Sequence, residues 1–248
     1  MIRKILWNNK HILKSYKLNN LNWTKVLEKY GVVLLNNIKP NVNYMNQIST
    51  ILESPIFDSI YGNLWDTGGQ IGKPTQDKAY TTEYLPPHTD LNYNYNTPKY
   101  QIFCCEKQAF IGGETILVDG LFLKNLLKEI NPIEYKFLTE KLYTFRCSDN
   151  IYQDKKKIFS NENIHHNHGD MIPTTDREYH IWNDLTLNKN FSINYLLNPK
   201  ETLIINNHRI LHGRNSFKGN RNMIGCYLNN EPEKEVTMER LFFDRNLL

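Results

Sequence analysis

The 248-residue sequence has no apolar run approaching the length of a membrane span, no internal repeat and no Gly/Ser-rich linker. A transmembrane helix is therefore not expected, and neither is a solenoid or a string of small domains. Cysteine is sparse. Cys104, Cys105, Cys147 and Cys226 lack C-x-x-C spacing and read as reduced core thiols, which points to the cytosol. An excess of one charge is missing as well: 30 Lys and Arg stand against 26 Asp and Glu, a net +4, with bases crowded only at 155–157. A nucleic-acid footprint is not expected from so even a balance. The N-terminal "MIRKILWNNKHILK" has no apolar stretch long enough for a secretory leader.

What is present suits one domain spanning 1–248 with a substantial core: 40% hydrophobic residues, 15 Tyr and 4 Trp. A helix over "NLNWTKVLEKY", capped by Asn22 and closed by Gly31, should lead into a buried strand Val32–Leu35. "NVNYMNQISTILES" has helical spacing and ends before Pro55. "YQIFCCEKQ" and "ETILVDG" read as strands joined by a turn at Gly112-Gly113. Two helices follow, one with Asp119 as cap, the other with Asn131 as cap and Pro132 at its first position. Strands return in "YTFRC", "ETLIINN" and "NMIGCYL". Strands on both sides of a helical insertion imply a mainly β fold with helical insertions, a jelly-roll core of two sheets. The polar segment from Tyr61 to Pro87 is too long for an ordinary connection, and long ordered loops are usually functional.

That segment ends in "LPPHTDLNY", where His88 and Asp90 lie two residues apart. At the start of a strand, residues i and i+2 point to one side, so both side chains can reach one ion. A third ligand is available in "LIINNHRILHGRNSF", at His212. Two histidines and a carboxylate form the facial triad of non-haem Fe(II) oxygenases, and zinc can use the same three with a water. The residue set alone does not choose. Arg221, nine residues after His212, favours iron. An oxygenase of this kind needs a chelating 2-oxoacid, whose far carboxylate suits a guanidinium fork, and the Thr115 hydroxyl could add a donor. A zinc hydrolase would need a general base, and no carboxylate stands out for it.

"HTD", "GGETILVDG", "NNHRILHGR" and "FKGNRNMIGCYL" together resemble the γ-butyrobetaine and trimethyllysine dioxygenases, Fe(II)/2-oxoglutarate enzymes of the larger taurine-dioxygenase-like group. The resemblance runs from about Tyr61 to Leu228, with every motif in family order. It implies a double-stranded β-helix, iron held by His88, Asp90 and His212, and 2-oxoglutarate held by Arg221 beside Thr115, with O2 as the other co-substrate. It also implies a small trimethylammonium substrate caged by Tyr61, Trp65, Tyr80 and Tyr227; the face of an aromatic ring attracts a cation that cannot donate a hydrogen bond. Asp77 resembles the trimethyllysine branch, where an acid can pair with the α-ammonium; the butyrobetaine branch tends to carry Asn there. The H-G-R-x-x-F-x-G-x-R spacing points the same way. The loop between Trp65 and Tyr80 is slightly longer than usual, and the family's N-terminal accessory domain has no counterpart before Tyr61. A homodimer is compatible with the resemblance. Two other readings use the same residues: a quaternary-ammonium binding protein without catalysis, and a metal-assisted hydrolase that leaves Arg221 without a purpose.

Several polar residues are read as lying outside the site. His165, His166 and His168 in "IHHNHGD" lack zinc-finger partners and suggest an exposed loop that covers the site. His208 stands four before His212 but follows a strand and has no adjacent Glu, so it is a neighbour rather than a ligand. Arg209 and Arg214 are expected to orient ligands or hold structure.

Overall fold

Period-two alternation divides the strands of the larger sheet between two cores. In Val32–Leu35 (β2), Tyr100–Lys107 (β6), Thr202–Asn206 (β12) and Asn222–Leu228 (β15), the residues Val32, Leu34, Cys105, Leu203, Ile205 and Tyr227 join one buried cluster, against which the half-buried Phe103 packs. Their neighbours Val33, Leu35, Ile102, Cys104, Ile204 and Cys226 join another. The computed structural model describes residues 14–59, 62–67, 78–147, 152–161 and 163–229. Within them the larger sheet has seven strands. Ser15–Tyr16 (β1) and Ile56–Phe57 (β3) complete the order β1-β2-β12-β6-β15-β3, and Trp65–Asp66 (β4) also pairs with β15.

The outer face of this sheet is covered by Asn22–Tyr30 (α1) and Val42–Ile51 (α2), through Trp23, Leu27, Met45 and Ile48. Gly31 closes α1 in the left-handed region at φ 74°, as expected. Asn22 is not the cap, however; it is the first helical residue, and its N–H donates to Asn20 Oδ1 at 3.2 Å.

Four antiparallel strands form the smaller sheet: Ser192–Tyr195 (β11), Thr115–Asp119 (β8), Ile210–Arg214 (β13) and Leu85–His88 (β5), in that spatial order. Its Leu117, Ile210 and Leu211 share one core with the inner residues of the larger sheet. The two sheets make the jelly-roll expected. The glycine turn differs from expectation. Gly112 and Gly113 both adopt positive φ (75° and 81°), but they carry the chain from one sheet to the other, and Ile111–Gly112 (β7) pairs with Phe217–Lys218 (β14).

Tyr143–Arg146 (β9) and Gln153–Lys156 (β10) form a separate pair. The helical insertion contains Gly120–Ile130 (α3) and Pro132–Glu140 (α4), capped as expected by Asp119 and Asn131. A further helix, Arg177–Leu187 (α5), was not anticipated. Tyr179, Trp182 and Thr186 lie wholly buried along one of its sides, but charged and polar residues between them obscure the period, and its N-cap residue Asp176 makes no side-chain capping bond. Among the described residues no helix is long and apolar enough to cross a membrane.

Candidate metal centre

Pro86 and Pro87 lie in β5, an edge strand, where a residue without an N–H costs no ladder bond. β5 ends at His88. Asp90 lies two residues beyond that end, outside the strand, so the two side chains converge without the strand alternation inferred from spacing. His212 stands on β13 directly opposite His88 in the antiparallel register, and their ring centroids are 4.4 Å apart. His88 Nε2 lies 3.0 Å from Asp90 Oδ1, and His212 Nε2 lies 3.5 Å from Asp90 Oδ2. One donor atom from each residue falls within 4.8 Å of the others, the only such group among the described residues.

Local contacts orient these donors. The His88 Nδ1–H donates to the Pro86 carbonyl at 2.8 Å, which leaves the Nε2 lone pair facing Asp90 and His212. Burial works to raise the Asp90 pKa, but the His212 and His88 rings outweigh it and hold the carboxyl well below its usual range. Burial opposes charge on both rings too. It prevails at His212, whose pKa falls; at His88 the bond to Asp90, its charge and the Pro86 carbonyl raise the pKa instead. An ionised carboxylate between two imidazoles suits a divalent transition metal.

Asn207, wholly buried, fixes the Asp90 main chain. Its Oδ1 accepts the Asp90 N–H at 2.9 Å, and its Nδ2 donates to the carbonyls of Asp90 (3.1 Å) and Pro98 (3.0 Å). Asn207→Ala leaves those backbone groups unpaired, and a stability loss of about 2 kcal/mol is expected. Denaturant unfolding measures it; a loss below about 0.5 kcal/mol would show that the clamp is dispensable. Two more donors reach Asp90 Oδ2: the Tyr227 hydroxyl at 2.8 Å, and the Gln101 amide. Asn207 and Gln101 were not read from the sequence. The signal for Gln101 is one amide among the apolar neighbours of "YQIFCC".

The triad opens into a cavity of about 320 Å³. Thr115, at the start of β8, and Arg221, just before β15, line it. Arg221 Nε is buried and has no hydrogen-bond partner among the described residues. Burial, then the charge of Arg214, lowers the guanidinium to about 10, which leaves it cationic at neutral pH. A half-buried cation with an unused donor, lining one cavity with a hydroxyl and the His-Asp-His triad, fits an anionic chelating acid.

Aromatic rings line the same cavity. Trp65 on β4 pairs with Gly225 on β15, where a β-carbon would collide with the indole. Its ring lies 6.0 Å from Tyr227 and 5.5 Å from Phe103. Tyr80 lines the cavity from a turn at Lys78–Tyr80. Arg214 holds that turn by donating to the carbonyls of Lys78, Ala79, Thr81 and Glu83 at 2.8–3.1 Å. Tyr61 and Asp77 lie outside the described residues.

The histidine-rich stretch is not the exposed loop expected. His165 and His166 are 5% and 1% exposed. His165 Nδ1–H donates to the Lys157 carbonyl at 2.8 Å, and His166 meets Thr186 (3.3 Å) and Tyr179 (3.5 Å) of α5. Burial pushes both pKa values down to about 3, so both rings are neutral. Only His168 is exposed, on a loop with Asn167 and Asp170 that edges the cavity. His208 points away from the triad, to the Thr97 carbonyl at 2.8 Å. Arg209 is structural: it grips Asp119 with two bonds (3.0 and 2.6 Å) and donates to the Lys29 carbonyl at 2.9 Å.

A fold of this kind, with a His-Asp-His triad between its sheets, defines a class: the chain belongs to the taurine catabolism dioxygenase TauD/TfdA family, whose model matches residues 17–227. Among curated relatives it is similar to the mitochondrial trimethyllysine dioxygenase of Mus musculus, 28% identical over 91% of this chain and 61% of that protein. It is also similar to the gamma-butyrobetaine dioxygenase of Homo sapiens, 25% identical over 88% of this chain and 61% of that protein. The chain thus spans about three-fifths of the length of either relative. Among solved structures, the non-heme iron oxygenase OrfP in complex with Fe and alpha-ketoglutaric acid shares the fold, with a TM-score of 0.65 at 12% identity, covering 86% of this chain and 79% of that one.

Proposed function

We propose that this chain is an Fe(II)- and 2-oxoglutarate-dependent dioxygenase that hydroxylates a small trimethylammonium compound, trimethyllysine ahead of γ-butyrobetaine. The observation that carries this reading is one cavity lined by the metal triad, by Arg221 with its unused donor, and by the rings of Trp65, Tyr80 and Tyr227. Bound iron supplies the redox chemistry that couples decarboxylation of 2-oxoglutarate to hydroxylation by O2. The chain's own groups do the rest. His88, Asp90 and His212 hold the metal at one end of the cavity. Arg221 and Thr115 orient the far carboxylate of the co-substrate, a charge-assisted contact in a partly dry site. Trp65, Tyr80 and Tyr227 offer ring faces to a cation that has no hydrogen to donate.

The names of the relatives support the chemistry but divide between the two substrates. Asp77 and the H-G-R-x-x-F-x-G-x-R spacing favour the one with a free amine, because an acid repels a bare carboxylate. The four buried cysteines form no disulfide, which suits the cytosol we assign.

The test is succinate formation by anaerobically iron-loaded protein given 2-oxoglutarate and O2, with trimethyllysine, γ-butyrobetaine and a trimethylammonium phosphonate, each beside its unmethylated amine. Stimulation by trimethyllysine alone is the expected result. No stimulation by any of them, with iron and 2-oxoglutarate still bound, would retire the cation wall. In the same assay Trp65→Ala should raise the substrate KM by roughly 10-fold or more, the value of a desolvated cation–π contact. The KM for 2-oxoglutarate should change less than about twofold; equal effects on both would make Trp65 a packing residue.

A further inference from the structure

The two oxygens of Asp90 have different surroundings. Oδ2 accepts the Tyr227 hydroxyl at 2.8 Å and the Gln101 amide N–H, and those two donors are 3.4 Å from each other. Oδ1 faces His88 Nε2 at 3.0 Å and accepts no other side-chain donor among the described residues, whereas His212 Nε2 stands 3.5 Å from Oδ2, farther off than the Tyr227 hydroxyl. Gln101 and Tyr227 are 2% and 5% exposed, so both bonds act in a nearly dry environment. Both donors come from the larger sheet, where Gln101 on β6 and Tyr227 on β15 are partners in register. His88 and His212 belong to the smaller sheet, and Asp90 follows its edge strand. The bonds to Oδ2 therefore cross the gap between the sheets. Chemistry fixes the amide orientation, since the opposite one would set the Gln101 carbonyl against an ionised carboxylate.

We infer that Gln101 and Tyr227 are positioning residues that anchor Oδ2 of Asp90 to the larger sheet and so reserve Oδ1 for the metal. A carboxylate held this way cannot rotate freely, and one of its oxygens is already occupied by two donors. Tyr227 adds a second consequence, which rests on the proposed substrate. Its ring belongs to the cation wall while its hydroxyl holds the ligand, so a cation drawn against that ring also acts on Asp90. Substrate and metal are coupled through one side chain.

The experiment is an anaerobic titration of the full chain with Mn(II), a probe that does not turn over, following free Mn(II) by electron paramagnetic resonance. Gln101→Met and Tyr227→Phe are compared with the wild type, with and without trimethyllysine, and thermal unfolding of the metal-free proteins serves as the fold control. Each variant should lose about 10-fold in Mn(II) affinity, the lower end of what groups that orient a ligand contribute. Their metal-free unfolding midpoints should stay close to wild type. Trimethyllysine should shift Mn(II) affinity severalfold in the wild type, and by linkage the reverse should hold. Tyr227→Phe keeps the ring, so it should still bind trimethyllysine but lose that shift. Wild-type Mn(II) affinity in both variants would overturn the positioning role. A shift that survives in Tyr227→Phe would overturn the coupling. If no trimethylammonium compound binds the wild type while both variants lose Mn(II) affinity, the positioning role is upheld and the proposed substrate alone fails.

Discussion

His212→Ala is expected to lower Mn(II) affinity by more than about 100-fold and to reduce succinate formation to background. Groups that merely orient a ligand contribute roughly 10–100-fold, and removing one of three donors exceeds that. The magnitude follows from the geometry. His212 faces His88 across β13 and β5, with its Nε2 3.5 Å from Asp90, and no other His, Cys, Asp or Glu among the described residues joins that group. Binding of a trimethylammonium compound should survive, because Trp65 and Tyr80 are held by other elements, β4 and the turn at Lys78–Tyr80. The two readouts are separable by calorimetry and a coupled succinate assay. Near-wild-type Mn(II) affinity in this variant would take His212 out of the centre.

Arg221→Ala is expected to raise the KM for 2-oxoglutarate by roughly 100-fold, the equivalent of about 3 kcal/mol for a buried ionic pair that loses one partner. Arg221→Lys should recover only part of it, since an ammonium is a point charge and cannot offer a planar fork. Mn(II) affinity in the absence of 2-oxoglutarate should stay within about threefold of wild type, because the guanidinium is no ligand. An unchanged KM would mean that the unpaired Nε has some other use. The remaining donor to that carboxylate would be Thr115, a neutral hydroxyl and much the weaker of the two.

Local signals carried most of the architecture into the sequence. The strands of the larger sheet announced themselves as short apolar runs, α3 and α4 by Asp119, Asn131 and Pro132, and α1 by Gly31. Register was not legible. Nothing near His88 says that β13 will lay His212 beside it, because that pairing joins segments more than a hundred residues apart. The approach of Asp90 to His88 was anticipated for the wrong reason, since Asp90 lies outside the strand and its main chain is held by Asn207, more than a hundred residues away. Missing α5 had a direct cost at His166. The partners of its ring, Tyr179 and Thr186, lie on that helix, so without it the histidine-rich stretch could only look exposed. Gln101 escaped notice because one amide in an apolar strand acquires meaning only when the opposite sheet brings Asp90 to it.

Arg214 is two residues beyond His212 on β13, and it grips the four carbonyls that shape the turn bearing Tyr80. One short strand thus carries both a member of the His-Asp-His group and the arginine that fixes the turn bearing Tyr80. The placement of Tyr80 relative to His212 is therefore a property of the scaffold. Under the proposed function, a substrate whose cation rested on Tyr80 would present to the metal whichever carbon lay at the matching length. Adding or removing one methylene between cation and target would move a different carbon into that place, changing the position of hydroxylation before it changed the tightness of binding.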